Sequence, residues 1–133
     1  MPEVLVKVPF VRGKGRVRFV RATGRRYTPD KTAEAMELIR MAYVKEAHGL
    51  MAPKGVPVRV AIVTTRPMPK SRPKRITKEP DVDNIAKLVL DALNGVAWVD
   101  DTQVVAIAVQ KLPRDRVTKE QTTIALRWQE EQE

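Results

Sequence analysis

The residues best suited to chemistry lie between Glu79 and Val105, in the stretch EPDVDNIAKLVLDALNGVAWVDDTQVV. It holds five aspartates, Asp81, Asp83, Asp91, Asp100 and Asp101, and one lysine, Lys87. A helix over residues 83–95 puts Asp83, Lys87 and Asp91 on one stripe and turns Ile85, Leu88, Val89 and Ala92 to the core. A structural reading covers that stripe: Asp83 caps the helix and Lys87 pairs with Asp91 or Asp83, each pair contributing about 0.2–0.5 kcal/mol. It does not cover Asp81, which flanks Val82 opposite Asp83, nor the pair Asp100–Asp101 just ahead of a strand. If that pair returns towards the helix start, the carboxylates repel and raise one another's pKa unless a cation lies between them. Carboxylate oxygens with no histidine or cysteine nearby favour Mg²⁺ or Mn²⁺ over Zn²⁺. A metal held so can polarise a phosphoryl oxygen and generate hydroxide, and Lys87, one turn after Asp83, is placed to stabilise developing charge.

The charge distribution gives these carboxylates a substrate. The net charge is +9 over 133 residues. Residues 1–75 carry 18 basic and 5 acidic side chains, and the remainder carry 7 and 11. A basic field of this kind attracts polyanions, nucleic acid above all. Two segments concentrate it. RPMPKSRPKRITKEP, residues 66–80, holds four prolines and six basic residues, Arg66, Lys70, Arg72, Lys74, Arg75 and Lys78. Its prolines predict an extended, mobile loop, and it delivers its charge directly into the aspartates. Arg12 to Arg26 carries seven basic residues and no acidic one, and a hairpin there would present Arg16 and Arg18 towards phosphates. Carboxylates for a metal beside basic DNA-contacting segments are the parts of a metal-dependent nuclease.

Other chemistries fit poorly. Counting from Asp81, positions 5 and 6 of a calcium loop would be Ile85 and Ala86, which excludes an EF-hand. There is no phosphate-binding glycine motif, and the single histidine, His48, rules against a nucleophile–histidine triad. At a helix end, His48 is expected to meet the helix dipole instead. Aromatics at 5% are too few for a base-stacking platform. Zero cysteines exclude a disulfide framework and point to a reducing compartment, the cytoplasm. No stretch approaches the roughly 18 apolar residues of a membrane span, and the N-terminus lacks the pattern of a secretory signal.

The elements that must position these residues form one domain. Residues 3–10 alternate, with Val4, Val6 and Val8 on one side, and 16–21 read as a second strand after a glycine-containing turn. Thr28 and Pro29 suit the start of a long helix to Gly49, with Met36, Ile39, Tyr43, Ala47 and Leu50 as its buried stripe. Residues 56–65 alternate again. Gln103–Lys111 and Gln121–Trp128 are the last two strands, joined through Pro113, and the tail at 129–133 should fray. The expected fold is α+β, in the order β-β-α-β-α-β-β, a mixed sheet with helices packed on it.

The aspartate stretch also resembles the signature of the RusA family of Holliday-junction resolvases. The matching elements are Asp81-Val82-Asp83-Asn84, then Lys87, then Leu90-Asp91-Ala92-Leu93-Asn94-Gly95, then Asp100-Asp101-Thr102-Gln103-Val104-Val105. The resemblance implies a small homodimeric endonuclease that binds four-way junction DNA and nicks two opposing strands symmetrically with a divalent metal, normally Mg²⁺. It implies Asp81, Asp83 and Asp101 as the essential carboxylates and Lys87 as the essential basic residue, with Asp100 a further candidate metal ligand. Asp91 fits the pattern too, and a structural pairing with Lys87 is expected for it. A C₂ dimer would present two equivalent sites to the two strands of a junction. Two other readings stay open: a DNA-binding protein without catalysis, and a nuclease of the PD-(D/E)-x-K type, for which Pro80-Asp81 supplies the opening but no D/E-x-K follows within the next 30 residues.

Overall fold

A computed structural model describes residues 2–13, 18–20, 25–27, 30–67, 81–113 and 119–129, with backbone alone for 18–20, 25–27 and Asp30. The strands are β1 (Glu3–Val8), β2 (Arg18–Val20), β3 (Arg25–Tyr27), β4 (Val58–Thr65), β5 (Val104–Lys111) and β6 (Gln121–Trp128). The helices are α1 (Asp30–Ala47) and α2 (Val82–Leu93), and a 3-10 turn covers Asp101–Gln103. This is the expected α+β order with one added short strand, β3.

The main sheet runs β1-β6-β4-β5, with β6 antiparallel to both neighbours and β4 parallel to β5. Alternation builds its buried face. Val6, Ile124, Ile62 and Val109 form one row across the four strands, and Val4, Leu126, Val60 and Ile107 form the next. Both helices cover that face, α1 packing over β1 and α2 over β5. The opposite face, which carries Leu5, Lys7, Arg59, Ala61 and Arg127, is exposed. A parallel pair needs a crossover connection, and α2 supplies it, running from the end of β4 to the start of β5.

The strand expected at 16–21 does not hairpin with β1. Its described part, β2, pairs with β3, while β1 takes β6 as its neighbour. Three-residue strands carry too little alternation to announce a partner, whereas β1 and β6 each offer a full apolar face. Helix α1 stops at Ala47, where His48 (φ 53°) and Gly49 (φ 86°) both adopt left-handed backbone. That turn takes Leu50 out of the helical period and leaves it exposed, while Ile39, Tyr43 and Ala47 are buried with Ala35. Tyr43 instead donates its hydroxyl to the Leu50 carbonyl at 2.6 Å, and burial pushes its pKa up to about 12. The expected cap at Thr28 and Pro29 lies outside the described residues, as do residues 68–80 and 130–133.

Candidate active site

Helix α2 forms because Ile85, Leu88, Val89, Ala92 and Leu93 recur at three- and four-residue steps, and all five are buried. Its N-cap is Asp81, not Asp83, with extended backbone (φ −70°, ψ 154°) and a carbonyl that accepts from Ile85 N at 3.0 Å. The Asp81 carboxylate makes no capping hydrogen bond, so it is not consumed by holding the helix. Asp83 lies in the first turn, where the helix dipole favours an anion. Lys87 Nζ lies 4.0 Å from Asp83 Oδ2 with both side chains about two-thirds exposed (63% and 67%). Such a pair is worth well under about 1 kcal/mol and leaves both groups able to bind something else.

The second aspartate pair is built differently. After α2, Gly95 (φ 81°) lets the chain fold back, and its N–H donates to the Trp98 carbonyl at 2.8 Å. Trp98 bridges to Asn94 and Ala52 and is fully buried. A buried indole needs an acceptor for its N–H. Asp101 provides it: Trp98 Nε1 donates to Asp101 Oδ1 at 2.7 Å. Asp100 starts the 3-10 turn as its cap, with Oδ2 accepting from the backbone N–H and the hydroxyl of Thr102. The Thr102 hydroxyl, then its backbone N–H, hold the Asp100 carboxyl below the usual range, so it is anionic at neutral pH.

Gln103 fastens this segment. Its Oε1 accepts from Val99 N (2.9 Å) and Asp100 N (3.0 Å), and its Nε2 donates to Pro53 O (2.8 Å) and Val56 O (3.0 Å). Sequence reasoning passed over both Trp98 and Gln103. The signal for Gln103 was present, since Asp100-Asp101-Thr102-Gln103 is a capping box with Asp in the first place.

The two pairs lie apart. Asp81 and Asp83 are at the start of α2, whereas Asp100 and Asp101 adjoin its end through Trp98 and Asn94. A helix of 12 residues is about 18 Å long. The loop carboxylates therefore do not return to the helix start, because the parallel pairing of β5 with β4 fixes the start of β5 beneath the far end of α2. Among the described residues, no three histidine, cysteine or acidic side chains are grouped to hold a metal ion. The donor chemistry suits a hard cation, and one chain gathers it in two halves.

Of the basic residues expected at DNA, Arg66 is described and half-buried, its Nη2 donating to the Val11 carbonyl at 3.1 Å. Val11 N–H donates in turn to Glu120 Oε2 at 2.8 Å. Arg66 thus has a part in the fold itself. Lys70, Arg72, Lys74, Arg75, Lys78 and Arg16 lie outside the described residues, and so does the side chain of Arg18.

A family model described as "Endodeoxyribonuclease RusA" matches residues 9–126, which include all four site aspartates and Lys87. The chain belongs to the RusA family. RusA-family similarity extends beyond the aspartate stretch to both helices and most of the sheet. Among curated proteins, the chain is similar to "Uncharacterized protein YqaN" of Bacillus subtilis (strain 168), at 41% identity over a match that covers 41% of this chain and 48% of that protein. The chain thus spans about half the length of the curated relative it matches. Among the described residues, no helix of this RusA-family chain is long and apolar enough to cross a membrane.

Replacing Trp98 with Phe keeps the buried ring and removes the donor to Asp101. A hydrogen bond to a charged group contributes about 1.5–3 kcal/mol, and here the half-exposed carboxylate recovers part of that from water. Urea unfolding should therefore show a loss of about 1–2 kcal/mol with an unchanged m-value.

Proposed function

We propose that the protein is a structure-specific endodeoxyribonuclease that resolves four-way DNA junctions in recombination and repair, nicking two opposing strands symmetrically with a divalent metal, Mg²⁺ or Mn²⁺. The observation that carries this reading is the placement of the four aspartates within the family match: two at each end of α2, with the Asp81 carboxylate unused by its own cap. When bound, the metal supplies Lewis acidity and an activated water. Asp81, Asp83 and Asp101 would hold it, with Asp100 beside them as a fixed anion. Lys87, exposed and next to Asp83, is free to exchange that weak pairing for a phosphate oxygen. The basic residues of 12–26 and 66–80 supply the sequence-independent attraction to the DNA backbone.

The separation of the two pairs argues for a homodimer. One chain sets its two aspartate pairs towards opposite ends of α2, a helix about 18 Å long, so a complete site needs Asp81 and Asp83 from one copy and Asp100 and Asp101 from another. Two-fold symmetry then yields two such sites for the two strands of a junction. The same separation favours one rival, a junction-binding protein without catalysis, in which each aspartate pair serves only its local structure.

An end-labelled four-way junction, incubated with the protein in Mg²⁺ or in EDTA, separates them. Paired nicks that require the metal and vanish in Asp83→Asn, with junction binding retained, are the expected result. Tight binding without nicks in either Mg²⁺ or Mn²⁺ would leave the non-catalytic reading.

A further inference from the structure

We propose that Trp98 is a positioning residue for the candidate metal ligand Asp101: its indole N–H holds one carboxylate oxygen so that the other faces the bound cation. This deepens the metal-dependent reading above and rests on it. Trp98 Nε1 donates to Asp101 Oδ1 at 2.7 Å, whereas Asp101 Oδ2 has no hydrogen-bond partner among the described residues. The neighbouring carboxylate is arranged differently. Asp100 Oδ2 accepts from both the hydroxyl and the backbone N–H of Thr102, which is the work of a cap. Of the pair, Asp101 is the one steered by a side chain from the core.

That donor is fixed more firmly than the carboxylate it holds. Trp98 is fully buried, whereas Asp101 is half-exposed. The backbone of Trp98 bridges to Asn94 at the end of α2 and to Ala52, and Ala52 N donates to Ala97 O at 2.9 Å. On the far side of Asp101, Gln103 is tied to the Pro53 and Val56 carbonyls. Residues 52–56 therefore clamp the chain both before and after Asp101. The clamp sets the backbone, and the indole sets the carboxylate.

An indole suits this task. It carries a single N–H donor, no acceptor and no charge. It can direct a carboxylate without competing for the cation, as a lysine or arginine there would, and it cannot become a ligand itself. Hydrogen-bonded partners of this kind orient the groups that bind a metal, and their removal typically lowers metal affinity about 10–100-fold.

Two measurements test the role, and neither is activity. The chain has two tryptophans, so selective ¹⁵N-tryptophan labelling gives two indole signals. Added Mg²⁺ should shift the Trp98 signal, whose acceptor shares a carboxylate with the cation. It should leave Trp128 in place, since the Nε1 of Trp128 has no hydrogen-bond partner among the described residues. Mn²⁺ affinity, read from the EPR signal of the free ion, should fall about 10–100-fold in Trp98→Phe. Benzothienylalanine at position 98 keeps the shape of the ring without the N–H and should fall equally. Ile39→Val, a loss of packing in the core under α1, should bind Mn²⁺ as the native chain does. In nicking assays Trp98→Phe should need correspondingly more Mg²⁺ and reach the native rate at saturation. Native Mn²⁺ affinity in both position-98 variants would overturn the positioning role while the metal site stands. A fall in Trp98→Phe alone would assign the effect to packing and overturn it too. A native chain that binds no Mn²⁺, with or without a four-way junction, would overturn both the role and the metal reading.

Discussion

Chains carrying Asp83→Asn and chains carrying Asp101→Asn, each inactive alone, should regain nicking when they are unfolded, mixed and refolded together. In a mixed dimer, one composite site receives both substitutions and the other receives neither. Random pairing makes about half of the dimers mixed, each with one intact site of two, so about a quarter of the native sites should return. Those dimers can cut only one strand of a junction. The product should therefore be a singly nicked junction, without the paired cuts of the native protein. Both substitutions preserve shape, and an asparagine at 101 still presents an Oδ1 to accept from Trp98. Recovery is read on a junction labelled separately on each strand. No recovery at any mixing ratio, with heterodimers verified by mass, would mean that each chain completes its own site despite the separation along α2.

The second large effect is expected at Gln103. Replacement by leucine keeps the volume but orphans Val99 N, Asp100 N and Val56 O together, while Pro53 O keeps the Val56 N–H at 3.1 Å. Each group left unsatisfied costs about 1–3 kcal/mol, and water reaching these part-buried positions recovers part of it, so a loss of about 3–5 kcal/mol is expected. For a domain of this size that lowers the melting temperature by at least about 10 °C. Gln103→Glu tests the donors separately: it retains the acceptors for Val99 and Asp100 and sets a negative charge against the Pro53 and Val56 carbonyls. Protonating that carboxyl restores one donor, so this variant should gain stability as pH falls, relative to the native chain. A melting temperature within 2 or 3 °C of native for Gln103→Leu would show that the four contacts contribute little.

Much of this was legible in the residues. Val4, Val6 and Val8 alternate because only one face of β1 is covered, and that pattern alone locates the strand and its inward side. Ile85, Leu88, Val89 and Ala92 fix α2 in the same way, and the aspartates around it stand out against a basic chain. The relation between the aspartate pairs was not legible. Eighteen positions separate Asp83 from Asp101, and that spacing allows the later pair to return to the helix start or to remain at its end. The choice is made by β5 lying parallel to β4, a long-range pairing that no local pattern encodes. For the same reason the three-residue strands β2 and β3 gave no sign of preferring each other.

Arg66 donates to the carbonyl of Val11, and this contact concerns more than the stability of two loops. Val11 immediately precedes the basic segment 12–26, and Arg66 opens the basic segment 66–80. The two most cationic stretches of the chain therefore start at residues joined by one hydrogen bond of 3.1 Å, which sets the Arg66 guanidinium well inside a Debye length, about 8–10 Å at physiological salt, of the Val11 backbone. At those starts, Arg12 and Arg66 share one ionic atmosphere, so a polyanion drawn to either meets the potential of both.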